Sequence, residues 1–535
     1  VYPQTAGMTS KSISKCIKNA LEALGDKITD PIPGHILKAC DLIDLKEALF
    51  KINFPENRDD IEIAKRRLIF GELLTFSLGM LTLRKNERAK TAVKMEKDHC
   101  DEFFIKLPFS PTDAQKRTAR EIAEDMKKDV PMRRLLQGDV GSGKTAVAAC
   151  ALYGAVKNGW QTAFMAPTEI LASQHFSSLK KLLGEDMSIA LLTGSLTAKR
   201  KKEIYRALKE GEIDLLIGTH ALIEQKVEFK NLGLCVTDEQ HRFGVNQRAT
   251  LTEKGQNPHL LVMSATPIPR SLSLIIYGDL DLSVLDEMPP GRTPIETYAV
   301  SSSLRARACG YVKKHLDAGK QGYIICPLVE EGENDAVASA EKTYERLCRE
   351  DFAGYRLGLL HGKMKSKDKD AVMADFASGK IQLLVATTVV EVGVDVPNAA
   401  IMIIENADRF GLSQLHQLRG RVGRGSFKST CILISDAKSE ASKRRMDIMK
   451  STCDGFKIAD EDLKMRGPGD FFGSRQHGLP LFKIADLATD TELVKMSAKA
   501  AKELIKSDPD LSLPEHKELR KKTARLFDSH SGGIS

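Results

Sequence analysis

Residues 138–145, GDVGSGKT, fit the pattern G-x-x-x-x-G-K-[ST]. Glycines at that spacing let a backbone curl until its N–H groups, and the N-terminus of the helix that follows, face phosphate oxygens. Read this way, Gly138, Asp139, Val140, Gly141, Ser142, Gly143, Lys144 and Thr145 wrap the phosphates of a nucleotide. Lys144 then meets the β and γ phosphates, facing solvent until they arrive, and Thr145 binds magnesium. The plainer reading, a flexible glycine turn, is outweighed by context, because the apolar run RRLLQ precedes the loop and AVAACALYGAV follows it. About ninety residues on, Asp238 and Glu239 stand in VTDEQH at the end of the run LGLCV. An acidic pair there suits Asp238 to the magnesium shell and Glu239 to orienting and deprotonating an attacking water. Together the two motifs describe a nucleoside triphosphate hydrolase.

QLHQLRGRVGRG, residues 414–425, carries a third pattern, Q-x-x-G-R-x-G-R, set by Gln417, Gly420, Arg421, Gly423 and Arg424. It lies in a part of the chain with no phosphate loop of its own. Arg421 and Arg424 reach a γ-phosphate only if two domains close on one nucleotide, as arginine fingers do. A solvated basic helix is the plainer reading, and the five-residue pattern weighs against it. The expected catalytic set is therefore Lys144, Asp238, Glu239, Gln417, Arg421 and Arg424.

These residues need a scaffold that holds them at neighbouring strand ends. From residue 107 short apolar runs alternate with amphipathic helical segments: RRLLQ, TAFMAP, DLLIGTH, LGLCVTDEQ and HLLVMSATP. After MPPGRTP, a Pro/Gly linker at 288–294, the same alternation repeats in QGYIICPLV, RLGLLHG, IQLLVATTV, AAIMIIENA and STCILIS. Strands alternating with helices predict parallel sheets covered on both faces. The fold class is α/β, with two tandem parallel-sheet domains at 107–290 and 291–435. They stand between a helical module at 1–106 and a helical segment at 436–535. A chain of 535 residues is long enough for several separate cores. Its composition, 42% hydrophobic and 28% charged, excludes disorder and fibre. The ten cysteines form no C-x-x-C pair, which excludes a zinc ribbon and fits reduced thiols. LIFGELLTFSLGMLTL at 68–83 is broken by Glu72 and is short for a membrane span, so a buried helix is expected there. A net charge of +8 permits an acidic partner such as nucleic acid.

The ordered series GDVGSGKT, PTEILASQH, TGS, GTHAL, DEQH, SATPIPR, LHGKM, VATTVVEVGVDVPNA and QLRGRVGRG resembles the motif set of superfamily 2 helicases and translocases. Within it the chain is similar along its whole length to the RecG family of ATP-dependent DNA helicases. The resemblance implies two RecA-like domains, ATP and Mg2+ as cofactors, and branched DNA (replication forks, Holliday junctions) as partner. It also implies single-stranded DNA-binding protein as a further partner, a monomer, and work in the bacterial cytoplasm on nucleoid DNA. LPFSPTDAQKR looks like the family's adenine-recognition segment, with Gln115 reading the base, while Ser264, Ala265 and Thr266 look like its link between hydrolysis and DNA movement. Independently, Thr168, Gln174, Thr193, Gly194, Ser195, Thr219, His220, Thr387 and Thr388 offer hydroxyls and amides that suit a phosphodiester track. For any one of them a turn or helix cap is the better reading; as a set they favour a strand path.

RGPGDFFGSRQHG, residues 466–478, resembles the loop of the family's translocation motif, which the transcription-repair coupling factor shares. Glycines permit an unusual path, the two phenylalanines seat it, and Arg466, Arg475 and Gln476 face DNA or the ATPase domains. Position 470 is Asp where the family pattern has Glu, and position 477 is His where a smaller polar residue is usual. The family's N-terminal wedge domain is expected to be missing, since the sequence opens at Val1 where that domain would end. A coupling-type translocase and a DNA-binding remnant without unwinding activity stay open as alternatives.

Overall fold

The computed structural model describes residues 9–87, 91, 93–239, 250–264, 280–291, 293–327, 333–387, 396–425, 427–472, 482–487 and 489–528. They fall into two compact units, one of Ala89–Ile268 with Leu280–Met465, the other of Val1–Arg88, Pro269–Asp279 and Arg466–Ser535.

The first unit holds two parallel sheets. The first has strands β1 (Arg133–Gly138), β2 (Gln161–Met165), β3 (Ile189–Leu192), β4 (Leu215–Gly218), β5 (Leu232–Thr237), β6 (His259–Ser264) and β7 (Asp281–Leu285). Their order is β3-β4-β2-β5-β6-β1-β7. Every residue of β2, β4, β5 and β6 is buried, the continuous apolar run expected of a sheet covered on both faces. The helix Lys144–Lys157 is small and apolar on all sides and is buried from Ala146 to Ala155, so it fits between the sheet and its neighbours. The second sheet has β8 (Glu296–Val300), β9 (Gln321–Ile325), β10 (Leu357–Leu360), β11 (Leu383–Ala386), β12 (Ala399–Ile404) and β13 (Thr430–Ile434). Its order is β10-β11-β9-β12-β13-β8.

Register decides where the chemistry sits. Gln137 of β1 pairs with Ser264 of β6, Thr237 of β5 with Val262 of β6, and Met165 of β2 with both Thr237 and Gly218. Leu192 of β3 pairs with Gly218. The carboxyl ends of β3, β4, β2, β5, β6 and β1 therefore align, and the loops after them share one edge, where ligands bind in open parallel sheets.

Residues 93–103, expected with the N-terminal helices, belong instead to the first sheet's core: Val93, Met95, Cys100 and Phe103 pack with Leu136, Leu152 and Val236. All ten cysteines are free thiols.

The second unit is helical. Its centre is the 30-residue helix Arg58–Glu87, packed against Leu45–Asn53, Thr491–Ser507 and Lys517–Asp528. Ile69, Phe70, Leu73, Leu74, Phe76 and Leu78 are buried, so the apolar run at 68–83 is a core helix as expected. Among the described residues no helix is long and apolar enough to cross a membrane. Glu72, the charge that interrupts the run, accepts hydrogen bonds from the backbone N–H groups of Lys483, Ile484 and Ala485 at 2.6, 3.1 and 3.0 Å. Buried Arg67 pairs with Asp30 at 2.5 Å, and Asp30 also accepts from the N–H groups of Ile32 and Leu45. Breaking a buried pair on one side costs about 3–5 kcal/mol, because the remaining charge is stranded.

One expectation is corrected here. The helix Gly455–Phe472 continues through Arg466, Gly467, Pro468, Gly469 and Asp470, so the first part of RGPGDFFGSRQHG is helical, not loop. Glycine and proline each disfavour a helix interior. Buried Ile458, Ala459 and Leu463 anchor the preceding turns, and helix propagation needs no new nucleus to run on past weak residues. The side chains from Arg466 to Phe472, and residues 473–481 with Arg475 and Gln476, lie outside the described residues.

Candidate active site

The loop after β1 has the backbone that its glycines permit. Gly141 and Gly143 lie at φ +79° and +85°, in the left-handed region that other residues avoid. A Cβ on Gly143 would also meet Gln115 Nε2 at 2.1 Å. Gln115 is buried on the helix Asp113–Met126: its Oε1 accepts from Thr112 N at 3.0 Å, and its Nε2 donates to Ser142 O at 2.9 Å. In this structure Gln115 braces the phosphate loop from below. Among the described residues the buried Ser142 Oγ has no hydrogen-bond partner, an unmet polar atom of the kind that a ligand oxygen can satisfy.

Lys144 does not face solvent, contrary to expectation. It is half-buried, and its ammonium curls back to donate to Gly138 O at 2.8 Å and Asp139 O at 2.9 Å. A buried cation must find acceptors, and the carbonyls of its own loop are nearest. Burial holds the ammonium below its ordinary pKa, against the pull of Asp238, Glu239 and Asp139, and the nearby charge of Arg424 lowers it further. Phosphate oxygens would offer this lysine a stronger pairing than carbonyls do.

Asp238 follows β5, its N–H bonded to Met165 O at 3.0 Å. One carboxylate oxygen accepts from Glu239 N at 3.0 Å, the other from His175 Nε2 at 2.8 Å. Burial alone would raise its pKa; the His175 hydrogen bond and the Lys144 charge outweigh that and keep the carboxyl below its ordinary value. Glu239 lies at φ +54°, a left-handed backbone that costs a non-glycine residue about 1–3 kcal/mol and recurs where a fold fixes a functional side chain. His175 was not among the expected residues. Its signal was present, one position after Gln174 in PTEILASQH, on a helix capped by Thr168.

The second sheet's arginine motif reaches this loop. Gly420, at the end of the helix Leu412–Arg419, lies so close that a Cβ would meet Val140 Cγ1 at 2.9 Å. Arg421 is buried, Arg424 Nε donates to Gly420 O at 3.3 Å, and Gln417 is half-buried on the same helix. The two sheets thus bring Asp238 and Glu239 from one side and Arg424 from the other within electrostatic reach of Lys144, as a cleft that closes on one nucleotide requires. Such an arrangement can polarise a terminal phosphate, orient a water and neutralise the charge that develops.

Residues 112–275 match the DEAD/DEAH box helicase family, 307–426 the helicase conserved C-terminal domain, and 452–529 the C-terminal part of domain 3 of the ATP-dependent DNA helicase RecG. The chain is 50% identical over 524 residues to the ATP-dependent DNA helicase RecG of Bacillus subtilis, covering 97% of this chain and 77% of that one. The chain belongs to the RecG family. It is 44% identical to the RecG of Synechocystis and of Thermotoga maritima, spanning 64% and 67% of their lengths. A solved RecG bound to a three-way DNA junction superposes with a TM-score of 0.69 at 43% identity, over 92% of this chain and 66% of that one. The chain therefore spans about two thirds to three quarters of the length of these RecG relatives.

The residues expected along a DNA track divide by burial. Thr168 caps its helix by accepting from Leu171 N at 3.3 Å. Thr193 Oγ1 and Ser195 Oγ lie 3.0 Å apart, and Ser195 donates to Glu169 at 2.8 Å. Gly194 and His220 are exposed. Thr219 and Thr387 are each 1% exposed, and among the described residues their hydroxyls have no hydrogen-bond partner. Ser264 is buried at the end of β6. Ala265, Thr266 and Thr388 lie outside the described residues.

Proposed function

We propose that this RecG-family ATPase couples hydrolysis at the cleft between its two parallel sheets to movement on duplex DNA, and that it acts on branched DNA, reversing forks and migrating Holliday junctions. The observation that carries the reading is the approach of Gly420 and Arg424 to the phosphate loop, which gives hydrolysis a second domain to move. Mg2+ fits the residues present: Thr145 and Asp238 supply hard oxygen donors. Among the described residues no group of three or more His, Cys, Asp or Glu could hold a metal. An ion held by one or two protein oxygens together with substrate phosphates is the usual Mg2+ arrangement. Bound there, it would neutralise phosphate charge, while Asp238, held by His175, keeps its carboxylate ionised and aimed. Gln115 is proposed to read the base while bracing the loop. Thr168, Thr193, Gly194, Thr219 and His220, with Thr387 and Thr388 of the second sheet, are proposed to follow one DNA strand, and Ser264 and Thr266 to link hydrolysis to its movement.

Arg466, Arg475 and Gln476 are proposed to pass closure of the cleft to the duplex. None of them is needed to hold a nucleotide, so replacing all three with alanine should spare ATPase activity without DNA yet uncouple it from strand movement. DNA binding should weaken modestly, each lost cation removing roughly one unit from the salt dependence. Branch migration per ATP consumed is the measurement, and an unchanged ratio would return the segment to a structural role.

A further inference from the structure

Asp139 sits inside the phosphate loop, yet its side chain points to neither phosphate nor solvent. It is buried, and one carboxylate oxygen accepts from Val140 N at 2.6 Å and from His416 Nε2 at 2.5 Å. The other accepts from Gly455 N at 3.0 Å, at the first residue of the helix Gly455–Phe472. Both outer partners come from the second sheet's side of the cleft. His416 lies on the helix that ends one residue before Gly420 and two before Arg421.

The tautomer of His416 follows from its neighbour. Arg419 is only ever a donor, and its Nη2 lies 3.0 Å from His416 Nδ1, so Nδ1 accepts and the imidazole's proton is on Nε2, directed at Asp139. Arg419, itself buried, also donates from Nη1 to Met449 O at 2.8 Å and Thr452 O at 3.0 Å, which ties it to the end of the helix Glu440–Ser451. The histidine is therefore held on both sides, and its geometry toward Asp139 is fixed by packing.

The backbone carbonyl of the same Asp139 accepts from Lys144. One residue thus joins the group that phosphates would draw away, Lys144, to the helix whose C-terminus leads into Arg421 and Arg424. We infer that Asp139 and His416 form a latch that sets the finger arginines against the phosphate loop, and that a nucleotide works this latch through the Lys144 contact to the Asp139 carbonyl. Both are positioning residues. The inference rests on the reading of Arg421 and Arg424 as fingers.

Steady-state ATPase kinetics on the full chain test it, with His416→Ala removing the donor and His416→Gln keeping an N–H near the place of Nε2. His416→Ala should lower kcat by about ten- to a hundredfold, the range that a charge-assisted hydrogen bond spans, with the KM for ATP within about threefold. His416→Gln should recover most of kcat. Combined with Asp139→Asn, His416→Ala should cost no more than the worse single change, because both break one link. Thermal melting shows that each variant is folded. Multiplicative losses in the double variant, or equal kcat for His416→Ala and His416→Gln, would overturn the latch. If Arg421→Ala retains turnover, the finger reading fails; if it loses turnover while His416→Ala does not, the latch alone fails.

Discussion

Replacing Arg421 or Arg424 with alanine should cut ATP turnover by about 10³ or more and leave nucleotide binding largely intact, the loss seen when an arginine finger is removed. The reason lies in how the site is divided. The phosphate loop, its Gln115 brace and its helix N-terminus all belong to the first sheet's side of the cleft, and they are the groups proposed to hold the nucleotide. The arginines come from the second, so they contribute to what changes when the domains are together. Gly420 admits this approach because it has no Cβ to strike Val140. Nucleotide affinity measured by a fluorescent analogue, beside steady-state hydrolysis, separates the two effects. Normal turnover in both variants would mean that the cleft is not the site of catalysis.

Lys144→Ala should abolish hydrolysis, with a loss of at least about 10²–10³ in kcat, the scale of removing one donor from a developing oxyanion. The fold should survive. Among the described residues the ammonium bonds only to the carbonyls of Gly138 and Asp139, in a loop whose path is set by glycines, β1 and the buried helix behind it. Small changes in melting temperature beside absent turnover are the expected pair of results. Near-normal hydrolysis in this variant would remove the phosphate-loop assignment.

Much of the scaffold was legible because covered parallel strands must be apolar throughout. The ten apolar runs marked in the sequence correspond to β1, β2, β4, β5 and β6 and to β9 through β13. The three strands that escaped, β3, β7 and β8, are all at the edge of their sheets. There one side lacks a neighbour, and β8 reads ETYAV with no residue fully buried. The residues proposed for the site stood out in the sequence because glycine, lysine and paired carboxylates have few other reasons to occur at those spacings. His175 and His416 were not, since a histidine in a helix has many bland uses, and only tertiary contact shows which carboxylate it faces. The pairing of Arg58–Glu87 with Thr491–Ser507 joins segments more than four hundred residues apart, which no local pattern encodes. The stretch from Arg466 misled for the opposite reason: its glycines and proline favour a turn, and the anchored helix before it carries on regardless.

The claim that joins these residues is that ATP hydrolysis between the two sheets moves the chain along double-stranded DNA. Release of a third strand annealed in the major groove of a duplex measures that movement directly, without strand separation. The third strand should come off with ATP and stay in place with a non-hydrolysable analogue, and the Arg421→Ala variant should fail to release it. Hydrolysis at the normal rate while the third strand remains bound would contradict the account.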